Sequence, residues 1–129
     1  NLVIINDSKS TSFSSSINLI QSYRNIYWIL GGQSKIGDKL NLKKSNFYDV
    51  KAYIYGRDKN FFENKLKKKI KCKIFKNLND ATKSVYNDIS SDESLKHIIF
   101  SPAAASYDQY KNFEERGKKF NLIVKQMQF

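Results

Sequence analysis

The stretch LVIINDSKSTSFSSSINLIQSY, Leu2 to Tyr23, decides how the rest of the chain is read. Its continuous apolar run, Leu2 to Ile5, suits a strand buried on both faces, and Asn6 and Asp7 end that strand in a polar loop. Thr11, Ser12 and Ser14 then offer hydroxyl N-caps to a helix with Phe13, Ile17, Ile20 and Tyr23 at helical spacing. Strand, loop and helix follow one another without a break, which is the first half of a parallel crossover unit.

The same unit recurs along the chain. NIYWILGG (Asn25–Gly32) is a second buried strand, ended by two glycines, and AYIYG (Ala52–Gly56) is a third. DKNFFENKLKKKI follows as a helix with a modest apolar face. KCKIF (Lys71–Phe75) is a short fourth strand, and LNDATKSVYNDI a helix with Asn77 or Asn79 near its start. HIIF (His97–Phe100) is the fifth strand, and NFEERGKKFNLIVKQM closes the chain as a helix. Lys39–Asp49 has room for one more short strand. Strands alternating with helices predict right-handed crossovers and an α/β class: a doubly wound, mostly parallel sheet of about five to six strands flanked by helices.

Composition narrows the function. With 129 residues, 40% of them hydrophobic, the chain can bury one core and is too short for two ordinary domains. It starts at Asn1 and its only methionine is Met127, so it is expected to be a piece of a larger protein. No apolar run approaches the roughly 18 residues of a membrane span, and the first ten residues lack a basic leader and a small-residue cleavage site, which reads as cytoplasmic. The lone Cys72 and lone His97 cannot supply a four-ligand zinc site. The formal charge of +11 raises the alternative of a basic α/β module binding nucleic acid or nucleotide. Against nucleic acid, only Arg24, Arg57 and Arg116 are arginines, whereas phosphate and base recognition favours the guanidinium fork, and most lysines fall in amphipathic patterns that form solvated faces.

In doubly wound sheets ligands bind outside the carboxyl ends of the strands, so the segments just past those ends matter most. NDSKSTS places Asp7, Lys9 and Thr11 at alternate positions; they could orient a ribose, phosphate or carboxylate, or Asp7 or Thr11 could simply cap the next helix. GGQSK allows a close backbone approach with Lys35 beyond it, but GxxxxGK[ST] is absent, so it is not a P-loop. SPAAASYDQYKNFEERG (Ser101–Gly117) offers Ser106 near a helix start expected to be capped by Ser106 or Asp108, with Tyr107, Tyr110 and Phe113 packing below. No hydrolytic triad is present, because His97 lies in an apolar strand with no acid placed to orient it. A phosphoryl-accepting receiver is also disfavoured, since Asp7 has no adjacent acidic partner.

Taken together these loops resemble the C-terminal domain of the Mur ligases, specifically the D-glutamate-adding branch. NDSKSTS is similar to that branch's N-D-S-K-A-T-N motif, ILGGQSK to its strand and Gly-Gly turn ending in lysine, and SPAAASYDQYKNFEERG to its S-P-A-x-A-S-x-D-Q-F-x-N-F-x-x-R-G signature. The resemblance runs in order from residue 2 to the end. It implies a Rossmann-like single domain over residues 1–129, the third of three, with a UDP-sugar-binding domain and a central ATPase elsewhere. The implied reaction is ATP-dependent amide formation between D-glutamate and UDP-N-acetylmuramoyl-L-alanine in peptidoglycan synthesis, through an acyl phosphate.

Carried onto this sequence, the resemblance implies that Thr11 and Lys35 hold one carboxylate of D-glutamate. Ser106 and the backbone amide of Phe113 hold the other, and Tyr107 flanks them. Lys9 would approach the nucleotide phosphates as the catalytic cation, and Asp7 the ribose side. The resemblance assigns no metal ligand here, since Mg²⁺ and most ATP contacts belong to the central domain; the domain alone is expected to be inactive and the enzyme monomeric. Neither nucleic acid nor membrane is an expected partner. Ser10 and Ser12 stand where the family often has Ala and Asn, Gln33-Ser34 where many relatives have Asp-Gly, and Tyr107 and Tyr110 where Leu and Phe are familiar.

Overall fold

The computed structural model describes residues 1–35, 37–38, 43 and 47–129. Five strands and four helices alternate in it: β1 (Leu2–Asn6), α1 (Phe13–Ile20), β2 (Ile26–Gly31), β3 (Val50–Tyr55), α2 (Lys59–Leu66), β4 (Lys71–Phe75), α3 (Leu78–Asp88), β5 (Lys96–Phe100) and α4 (Phe113–Met127). All strand pairs are parallel, in the order β1-β5-β2-β3-β4. The possible extra strand within Lys39–Asp49 falls mainly on residues outside those described.

Two apolar layers sandwich the sheet, as the continuous apolar strands require. On one face Phe13, Ile17 and Ile20 of α1 and Phe62 and Leu66 of α2 pack on Trp28, Leu30, Ala52, Ile54 and Ile99. On the other, Leu78, Ala81 and Val85 of α3 and Phe120 and Ile123 of α4 pack on Ile29, Tyr53, Tyr55, Ile98 and Phe100. β2 and β5, buried at every position, form the middle of this core. His97 belongs to it, its ring 4.8 Å from Tyr23 and its Nδ1 2.7 Å from the Arg24 carbonyl.

The winding brings the three polar loops together. The chain steps outward from β1 through β2 and β3 to β4, then crosses back over α3 so that β5 is inserted between β1 and β2. The loops after β1, β5 and β2 are therefore neighbours at one edge of the sheet, at the point where strand order reverses and a crevice opens.

Candidate functional site

The loop after β1 is held from behind by a chain of hydroxyls. Asp7 donates its amide to the Phe100 carbonyl at 2.7 Å, and its Oδ2 accepts from Ser101 Oγ at 2.8 Å. Ser101 Oγ lies 2.7 Å from Ser16 Oγ, which lies 2.6 Å from Ser10 Oγ. Ser10, Ser16 and Ser101 are all buried, so each hydroxyl needs such a partner. Ser10, which departs from the motif this loop resembles, thus has a place in the network. Ser12, the other departure, is the N-cap of α1 and accepts from the Ser15 amide. Neither Asp7 nor Thr11 caps the helix, so the capping alternative for both gives way: Asp7 braces the β1 and β5 loops, and Thr11 is exposed at the surface.

The turn after β2 is fastened on both sides. Gln33 forms a two-bond antiparallel bridge with Ala105, at 2.9 and 2.8 Å, which ties the β2 loop to the β5 loop. Ser34 donates its amide and its hydroxyl to Asp58 Oδ2, at 2.7 and 2.8 Å. Gly32 makes the approach possible: at φ +122° it adopts a conformation that L side chains rarely take, and a Cβ there would meet the Ala105 carbonyl at 2.5 Å.

These contacts place Thr11, Gln33, Ser34, Lys35, Ala105 and Tyr107 around one cleft of about 530 Å³. Three of the sequence-selected residues, Thr11, Lys35 and Tyr107, thus share a wall although they come from three different loops. Tyr107 is 70% exposed and stands over the cleft instead of packing below it. Lys35 has no carboxylate partner among the described residues, so its ammonium is available to an anion. Thr11 also belongs to a second groove of about 640 Å³, shared with Asp7, Lys9 and the serine-lined flank of α1. It therefore stands between the two.

Ser106 and Phe113 are placed differently. Ser106 is 3% exposed and, although between Ala105 and Tyr107, does not line the cleft; its carbonyl accepts from the Gln109 and Tyr110 amides. The expected cap of α4 by Ser106 or Asp108 is corrected: the helix starts at Phe113, and its N-cap is Asn112, which accepts from the Glu115 amide at 2.8 Å. Asp108, four residues before that N-cap, is out of capping reach and accepts from the Arg57 amide at 3.0 Å. The Phe113 side chain is exposed, and its amide belongs to the first turn of α4, where N–H groups have no partner within the helix.

Sequence reasoning passed over Arg116 as a working residue. Its side chain is fully buried, and its guanidinium donates to the Ala104 carbonyl at 2.8 Å and to the Ser8 and Ser10 carbonyls at 2.7 and 3.4 Å. One side chain therefore stitches the β5 loop to the β1 loop. Burial lowers its pKa, while Tyr55, Asp108 and Tyr110 around it act the other way. Burial also pushes the Tyr55 hydroxyl far up and that of Tyr110 up to about 12, so neither phenol is an acid–base group at neutral pH. The available signal was compositional: an arginine is the natural choice for several carbonyls at once, and this chain has only three.

No profile of a known protein family matches the chain. It is similar to proteins named UDP-N-acetylmuramoylalanine–D-glutamate ligase: one from Wolbachia sp. subsp. Brugia malayi is 39% identical over 120 residues, which is 93% of this chain and 24% of that protein. Another from Rickettsia conorii is 40% identical over 121 residues, again 93% and 24%. A third, from Wolbachia pipientis wMel, is 37% identical over 129 residues, 100% of this chain and 25% of that protein. The chain therefore spans about a quarter of the length of the curated relatives it matches.

Proposed function

We infer that this chain, related over nearly its whole length to UDP-N-acetylmuramoylalanine–D-glutamate ligases, is the D-glutamate-binding, C-terminal domain of such a ligase. The observation that carries this reading is the convergence of Thr11, Lys35 and Tyr107 on one cleft. A hydroxyl and an unpaired ammonium on adjacent loops suit a carboxylate, and a dicarboxylic amino acid bound rigidly there presents its amine in one direction. Ser106 and the Phe113 amide remain the proposed donors for the second carboxylate, which would require that end of the cleft to rearrange as ligand binds.

The proposed chemistry is attack of the D-glutamate amine on an acyl phosphate of UDP-N-acetylmuramoyl-L-alanine, forming the amide and expelling phosphate as the amine loses a proton. ATP with Mg²⁺ would supply the phosphoryl group, held mainly by a domain outside this chain. Within this chain, Lys9 lines the groove beside Asp7, where its ammonium suits the developing phosphoryl charge, and Asp7 is held in place by Ser101 to meet the ribose side. No helix among the described residues is long and apolar enough to cross a membrane.

The test is Lys35→Ala in the ligase that carries this domain. Losing the only ammonium among the described residues of the cleft should raise half-saturation for D-glutamate by at least about tenfold, the worth of one charge-assisted hydrogen bond. An unchanged D-glutamate requirement would remove Lys35 from the site. Phosphate release that needs no D-glutamate would remove the ligase reading altogether.

A further inference from the structure

We propose that Asp38 is a positioning residue that sets the spacing between Thr11 and Lys35, an inference that rests on the ligand reading above. The first amides of a helix lack partners within it and draw in anions. In α1 the local cap is weak, Ser12 Oγ taking the Ser15 amide at 3.4 Å. The strong acceptor comes from a distant loop: Asp38 Oδ2 takes the Phe13 amide at 2.6 Å. Asp38 also donates its own amide to the Lys35 carbonyl at 3.1 Å, closing the turn from Lys35 to Asp38. One residue thus grips the start of α1 two positions after Thr11 and the turn that begins at Lys35.

That grip completes a two-sided hold on Lys35. Upstream, Ser34 is bonded twice to Asp58 and Gln33 is bridged to Ala105. Downstream, Asp38 is the contact that links the turn to the helix. Without it the described contacts fix the Lys35 turn only to the β3 and β5 loops, and the separation of ammonium and hydroxyl is no longer set. Asp38 is half-buried and does not line the cleft, so its charge is spent on the helix end and not set against an incoming carboxylate. The internal carboxylate also fills the anion position at the α1 N-terminus, which directs a ligand carboxylate to the side-chain donors Thr11 and Lys35.

Asp38→Ala and Asp38→Asn separate this role from a general effect on folding, because Asn keeps an oxygen that can accept from Phe13. In ¹⁵N-labelled 129-residue chain, Asp38→Ala should move the Phe13 amide proton upfield and shift the Thr11 and Lys35 amides, with the rest of the spectrum retained. Asp38→Asn should move them less. In the ligase, Asp38→Ala should raise half-saturation for D-glutamate about tenfold with kcat within about twofold, since placement of a bound group is lost and not the reacting groups. Asp38→Asn should recover most of that loss. Unmoved Phe13, Thr11 and Lys35 resonances overturn the proposal, and so does unchanged half-saturation alongside moved resonances. A wild-type ligase indifferent to D-glutamate overturns the functional reading instead, and the three resonances then decide the Asp38 contact by themselves.

Discussion

Arg116 shows how much of this edge depends on one side chain. A buried guanidinium is tolerated best when its donors are met, and here backbone carbonyls of two loops meet both Nη groups, leaving Nε without a partner and no carboxylate in ion-pair contact among the described residues. Gly117 allows the approach, since a Cβ there would collide with Ser8 Oγ and sit 3.1 Å from the Ser8 Cβ. The arginine and glycine at the end of the Ser101–Gly117 signature therefore work on the β1 loop, remote in sequence. Arg116→Lys keeps the charge but offers one ammonium to a site shaped for a fork. It should destabilise the chain by about 3 kcal/mol, as expected when a buried charge loses part of its hydrogen bonding. Urea unfolding measures this, and a midpoint within error of wild type would show that the loops hold without the guanidinium. Lys35 and Thr11 could be picked out from the sequence because polar residues just past a strand are visible as such. Arg116 could not, because its partners are main-chain atoms that no side-chain pattern reveals.

At the level of elements, the inner strands β2, β3 and β5 were legible because burial on both faces writes itself as a nearly unbroken apolar run. β1, expected to be buried on both faces, is instead an edge strand with Val3 exposed, because β5 covers it on one side only. Lys71–Phe75 matches the expected fourth strand end to end, and the others differ by a residue or two. Helix starts were less legible wherever a capping side chain is used elsewhere. Asp58 is at the N-cap of α2 yet makes no cap bond, because its carboxylate accepts from Ser34, whereas of the two asparagines expected near the start of α3 it is Asn77 that caps it. The far end of α3 carries a similar tertiary contact. Asp88 accepts from the Tyr53 hydroxyl of β3 at 2.9 Å and from Lys73 Nζ of β4 at 2.6 Å, tying the helix to two strands. The Lys73 hydrogen bond, helped by Tyr53 and opposed by partial burial, lowers the Asp88 pKa. A carboxylate lowered on folding stabilises the fold above its unfolded pKa of about 4, and that contribution is lost as pH falls through the folded value. Asp88→Asn should therefore cost up to about 1 kcal/mol at pH 7, a modest figure because Lys73 is largely exposed and screened. The difference from wild type should shrink as urea midpoints are taken to lower pH. A gap that persists unchanged into acid would mean that shape, and not charge, accounts for the effect.

For the whole molecule, strand order is what turns three separate loops into one site, and it is the property that local sequence does not encode. Apolar runs at β1, β2 and β5 look alike, and nothing in them says that β5 inserts between the other two; that follows from the long crossover over α3, chosen by how both apolar layers close. The same order leaves β4 at an edge, with backbone groups open to another chain. Lys71 and Lys73 are exposed there, alternating with Cys72 and Ile74, and charged side chains on an edge strand discourage pairing between molecules. Two of the 23 basic residues behind the charge that first suggested nucleic acid thus have a structural use. Lys71→Thr with Lys73→Thr keeps the strand pattern while stripping the edge of its charge, and should increase self-association at a given concentration, read by sedimentation velocity. Lys118→Thr with Lys119→Thr removes the same charge from the exposed flank of α4, and by this argument leaves association unchanged. Equal association in both pairs would assign the effect to net charge alone. Association confined to the β4 pair would locate it at the edge.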